Sequence, residues 1–99
     1  MLNIEKTVND SALTLALSGR LDTVTAPQLE QALKTAPEGV TELILDFEQL
    51  DYISSAGLRV LLMAQKTMSR QDGMKLRHVK AEIQEIFEVT GFSDILTIE

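Results

Sequence analysis

Three observations predict an α/β fold for this sequence. Segments of two-residue alternation and segments of helical periodicity follow one another in the order β-β-α-β-α-β-α. Only a short turn at Asn9-Asp10 separates the first two strand-like segments, as in an antiparallel hairpin. The chain has 99 residues, 44% hydrophobic and 24% charged, which is enough for one compact core and is the balance of an ordinary globular protein. The expectation is a mixed sheet of four to five strands, opened by the hairpin and made parallel by right-handed crossovers, with three to four helices. No linker, repeat or low-complexity tract interrupts it, so residues 1–99 read as a single domain.

Each element has a local cause. "LNI" alternates, and in "ALTLALSG" Leu13, Leu15 and Leu17 share one face while Thr14, Ala16 and Ser18 share the other. In "TVTAPQLEQALKTA", Thr25 is placed to cap a helix, Gln28 to complete a capping box and Val24 to staple onto Leu29. Pro27 falls in the tolerant first turn. Ala26, Leu29, Leu33 and Ala36 make the buried stripe, and Glu30 and Lys34 pair outside it. After a turn at Pro37-Glu38-Gly39, "VTELILDF" is short, branched and nearly continuously apolar, as a central strand would be. It feeds "EQLDYI", the two serines and then "AGLRVLLMAQKTMSRQ", which reads as a helix ending near Asp72-Gly73, with Leu58, Leu61, Leu62 and Ala64 inward and Arg59, Lys66 and Arg70 outward. "MKLRHV" is a further strand. "AEIQEIFEVTGF" is a helix with Ile83, Ile86 and Phe87 inward and Gly91 as its left-handed terminator. "SDILTI" fits a short strand or a short helix equally well.

Composition narrows the function. No run reaches the roughly 18 apolar residues of a membrane span, and the N-terminus lacks a signal-peptide core, so a cytoplasmic location is expected. There is no cysteine, which removes disulfides and thiolate chemistry. A net charge of −6 disfavours nucleic acid as a partner. The one histidine, His78, lacks a nucleophile-elbow motif, so an enzyme is not expected and His78 reads as a structural strand-end residue. One histidine with scattered carboxylates offers no metal-ligand spacing, and "SGR" and "SSAG" are too short for a nucleotide fingerprint. Neither a metal nor a cofactor is expected. Phe47, Phe87, Phe92 and Tyr52 read as core or core-edge residues.

Function therefore falls on strand-end loops, the usual location of sites on open α/β sheets. In "DYISSAGLRVLL" one serine suffices to cap the helix, yet there are two, and Gly57 in the first turn costs about 1 kcal/mol against alanine. Close approach to that backbone would explain the glycine. A helix N-terminus also tolerates a phosphate of about −1.5 to −2 charge on a serine. Such a phosphate would set bulk and charge against any partner packing on Ser55, Ala56 and Gly57, which makes a binding switch.

These residues resemble the STAS-fold anti-sigma factor antagonists, whose domain type is shared with the cytoplasmic ends of sulfate transporters. "LSGRLDTVTAPQL", "LDYISSAGLRVLL" and "IFEVTGFSDILTI" carry the resemblance over almost the full length, the middle segment most specifically. The resemblance implies a STAS fold and a regulator that is not an enzyme. Its unphosphorylated form would bind an anti-sigma factor that is also a serine kinase of the ATP-binding, histidine-kinase-like type, freeing a sigma factor. That kinase, which would carry the nucleotide, would phosphorylate Ser55, and a serine phosphatase would reverse it. Asp22 and its neighbour Thr23 in "GRLDT" are implied to help bind the kinase, with Asp22 equally readable as a turn carboxylate. Where the best-known members have aspartate, this chain has Ser54, which stands as an alternative phosphosite. Lys80 takes the place of a small polar cap on the last helix. Arg59 and Met63, one and two turns beyond Ser55, would extend the docking surface, or else belong to a solvated outer face. The alternative function is a constitutive STAS scaffold subunit of a lipid-transport or stress-sensing complex, with both serines as cap residues only.

Overall fold

The structure, a computed structural model, describes residues 2–35 and 39–99. β1 (Leu2–Asn9) and β2 (Ala12–Leu21) form the expected hairpin, with Asp10 in the left-handed region (φ 56°) at its turn. Then follow α1 (Ala26–Lys34), β3 (Glu42–Ile53), α2 (Ser55–Met68), β4 (Gly73–Arg77) and α3 (Ala81–Thr90). A single 3₁₀ turn (Phe92–Asp94) and a two-residue β5 (Thr97–Ile98) end the chain, so the C-terminal segment is in part helical and in part strand. The sheet order is β1-β2-β3-β4-β5, with the hairpin antiparallel and the other three pairs parallel.

One face of this sheet holds the core. Leu13 and Leu15 on β2, Leu43 and Leu45 on β3, and Met74 and Leu76 on β4 stand in register and are buried, and Leu17 is buried at the register shift that follows. Ala26 and Leu29 of α1, Leu58, Val60, Leu61, Ala64 and Met68 of α2, and Ile83 and Phe87 of α3 close over them in one cluster. Phe47 and Phe87 meet there with ring centroids 6.3 Å apart. The opposite face stays partly open: Thr14, Ala16 and Ser18 are half-buried, and Lys75 pairs with Glu42 at 3.4 Å and Arg77 with Glu99 at 2.9 Å. No described helix is long and apolar enough to cross a membrane.

The start of α1 differs from its expected form. Thr25 occupies the N-cap position but makes no cap bond; its hydroxyl donates to the Arg20 carbonyl at 2.8 Å and accepts from the Asp22 amide at 2.8 Å. Gln28 Nε2 donates to the Leu2 carbonyl at 2.8 Å, so no capping box forms. Val24 is 85% exposed, so no staple forms either. Asp22 takes over the local work: its Oδ1 accepts the amides of Val24 at 3.0 Å and Thr25 at 3.1 Å. Ala32 is buried in α1, while Leu33 is half-buried; Ala36, Pro37 and Glu38 lie outside the described residues. In α2, Val60 and Met68 are buried and Leu62 only half so, because this helix packs against both the sheet and α1. The Glu30–Lys34 pair is present at 3.9 Å, and Gly91 ends α3 at φ 81°.

Candidate docking surface at the start of α2

The site is built where two parallel strands end side by side. Leu21 of β2 pairs with Ile53 of β3, and the Ser54 amide donates to the Leu21 carbonyl at 2.8 Å. This sets the Asp22 turn beside the start of α2. β3 carries two register shifts against β2, one between the Ala16 and Ser18 pairs and one between the Gly19 and Arg20 pairs. Extra residues in one strand bend it and re-aim its end.

The adjacent serines divide the work at this junction. Ser54 is the N-cap, in extended conformation; its Oγ accepts the Gly57 amide at 3.4 Å, and its carbonyl accepts the Leu58 amide at 2.9 Å. Ser55 is the first helical residue, is exposed, and has no side-chain hydrogen-bond partner among the described residues. Its hydroxyl therefore stands free at the positive end of a helix dipole. Ala56 is half-buried.

Gly57 is buried, against the expectation that it faces a partner. A Cβ there would lie 2.8 Å from Leu21 Cγ and 2.9 Å from Ile53 Cγ1. The close approach that requires glycine comes from this protein's own strand ends, and Gly57 lets α2 sit down on them. Arg59 and Met63 follow Ser55 at helical spacing and are both exposed, Met63 by 50%.

On the neighbouring turn Thr23 is exposed and Asp22 half-buried. Hydrogen bonds from the Thr25 amide first, then from the Thr25 hydroxyl and the Val24 amide, hold the Asp22 carboxyl below its ordinary value against the opposing effect of burial. The Arg20 guanidinium lies 3.9 Å from Asp22 and stacks over the Tyr52 ring at 4.2 Å. The sequence does not single out Arg20 or Tyr52 for this surface: they meet because β2 and β3 pair in parallel with Arg20 opposite Tyr52. Tyr52, read as core or core-edge, is 38% exposed. His78 follows β4 at φ 57° beside Asp46 and makes no described contact with a serine hydroxyl.

A family model described as "Mlab, STAS domain" matches residues 4–97. The chain belongs to the STAS-domain family. Among its relatives is BtrV of Bordetella bronchiseptica, named for an anti-sigma factor antagonist, which is 37% identical over 91 residues, or 90% of this chain and 78% of BtrV. The STAS fold recurs in an anti-sigma factor antagonist from Mycobacterium paratuberculosis, with TM-score 0.88 and 21% identity over 99% of this chain and 85% of that one. It recurs also in the phosphorylated form of the Bacillus cell fate determinant SpoIIAA, with TM-score 0.74 and 22% identity over 100% of this chain and 91% of that one. The hairpin-led sheet and its three helices are thus the STAS architecture.

Proposed function

We propose that this STAS domain is an anti-sigma factor antagonist: unphosphorylated, it binds an anti-sigma factor that is also a serine kinase and so frees a sigma factor; phosphorylated on Ser55, it releases that partner. One observation carries the reading, the separation of roles between Ser54 and Ser55. Ser54 supplies the cap, so the Ser55 hydroxyl is exposed and unpartnered one residue later. A kinase can take Ser55 without dismantling the helix.

The α2 N-terminus compensates a phosphate dianion through its dipole and free amides, so the modified domain stays folded. What changes is the outer surface, where Ser55, Arg59 and Met63 form one helical face beside Thr23 and Asp22. A partner fitted to a small hydroxyl meets added bulk and negative charge there. Two similar proteins support the reading by their names: BtrV is named for an anti-sigma factor antagonist, and SpoIIAA is described in a phosphorylated form. A serine phosphatase would restore the binding form, and this domain needs no nucleotide site of its own.

The test is mass spectrometry of the protein from its own cells together with partner capture by two variants. A single phosphate on Ser55, with Ser55→Ala binding the anti-sigma factor constitutively and Ser55→Asp weakened about tenfold or more, is expected. A phosphate found on Ser54 instead would move the switch by one residue. No phosphate under several growth conditions, with both variants binding equally, would replace the switch with a constitutive scaffold.

A further inference from the structure

We propose that Asp46, Glu48 and His78 form a binding site for one divalent transition-metal ion of the zinc type. Sequence spacing offers no such set, because 32 residues separate Asp46 from His78. The fold brings them together: Asp46 of β3 pairs with Arg77, the last residue of β4, and the left-handed backbone at His78 (φ 57°) turns its ring back to Asp46. Glu48 lies two residues beyond Asp46, where the first register shift between β2 and β3 falls.

The distances suit a shared ion. His78 Nδ1 is 3.0 Å from Asp46 Oδ1 and 3.5 Å from Glu48 Oε2. Two ligands bonded at about 2.1 Å to a tetrahedral ion stand about 3.4 Å apart, so these separations bracket the edge of such a polyhedron. One ligand atom from each residue lies within 4.8 Å of the others.

Charge and space point the same way. Two carboxylates face one imidazole, and among the described residues no lysine or arginine forms an ion pair with Asp46 or Glu48. His78 faces both carboxylates, and even a protonated imidazole offsets only one of their two charges; a divalent cation answers both. A cavity of about 190 Å³ adjoins the cluster, lined by Ala16, Leu17, Asp46, Glu48 and Gln49, with room for coordinated water. The imidazole selects the class of ion: zinc, cobalt or nickel accept nitrogen with oxygen, whereas magnesium and calcium take all-oxygen sets. A bound ion would tie the bulged part of β3 to the segment that leaves β4.

The test uses the tag-free 99-residue chain at about pH 8, because a ligating imidazole nitrogen has to be unprotonated. Zn²⁺ titrated calorimetrically should fill one saturable site, and Mg²⁺ should fill none. Co²⁺ should broaden amide resonances around Asp46, Glu48 and His78 before any others. His78→Gln and Glu48→Gln, both at exposed positions and checked for folding by circular dichroism, should each weaken Zn²⁺ binding about tenfold or more. Unchanged affinity in His78→Gln, equal binding of Mg²⁺, or no saturation below about 1 mM Zn²⁺ would overturn the site.

Discussion

At the junction of β3 and α2, neighbouring residues carry separate tasks. Ser54 spends its hydroxyl on the helix, Ser55 keeps its hydroxyl free, and Gly57 admits Leu21 and Ile53 beneath the first turn. Gly57→Ala tests the last of these roles with two effects of opposite sign. Alanine would favour the helix by about 1 kcal/mol. The added methyl, however, meets Leu21 Cγ and Ile53 Cγ1, inner side-chain atoms of residues that are 0% and 3% exposed and cannot swing aside. Overpacking of this kind costs about 1–3 kcal/mol, so a net loss of stability is expected, read as a lower urea midpoint. An unchanged or raised midpoint would show that the strand ends yield. Asp22 is a similar case of one residue with a structural task, since its Oδ1 already organises the turn; a partner reaching it would find mainly Oδ2 and the Arg20–Tyr52 pair.

At the scale of elements, α3 shows how a helix boundary can rest on a single feature. Its N-cap position holds Lys80, which makes no side-chain cap bond and instead pairs with Asp51 at 2.7 Å. Glu82 in the first turn favours the dipole weakly. The C-terminus is better defined: Gly91 is at φ 81°, and its amide donates to the Glu88 carbonyl at 3.3 Å. Beyond its own chain neighbours, no atom lies within 4 Å of a Cβ built at Gly91, so Gly91→Ala would suffer only the conformational cost. A loss of about 1 kcal/mol is expected, with Gly91→Asn losing less because asparagine tolerates the left-handed region. Equal losses in the two variants would show that the cost lies elsewhere. The periodicity of α3 and the glycine after it are legible in the sequence because both are local properties of the chain. The capping box of α1 is legible and does not form: Asp22 and the Arg20 carbonyl offer Thr25 better partners once β2 has ended there.

For the molecule as a whole, one core beneath the sheet carries the surface above it. Phe47 and Phe87 are both 0% exposed and join the central strand to the last helix. Truncating Phe87 to alanine should cost about 3–5 kcal/mol, a large part of the roughly 5–15 kcal/mol that holds a domain folded. A single cooperative transition at lower urea is expected; loss of α3 alone, with the sheet still protected in hydrogen exchange, would show that the helix is a separate unit. This core also sets the logic of the proposed switch. Phosphate on Ser55 leaves the buried cluster untouched, so binding can change while the fold does not.

The sequence by itself determined the element order, the hairpin, the inward leucines of β2 and the Ser-Ser-Ala-Gly start of α2, because alternation, helical period and turn residues act over a few neighbours. Only the tertiary structure decided which groups meet across the sheet. Arg20 reaches Tyr52 through parallel register, Gly57 is reserved for Leu21 and Ile53, and Asp46 and Glu48 converge on His78 through a bulged strand. Those meetings depend on strand pairing between residues about 30 apart, and register is fixed by burying the apolar face of the whole sheet rather than by any local pattern.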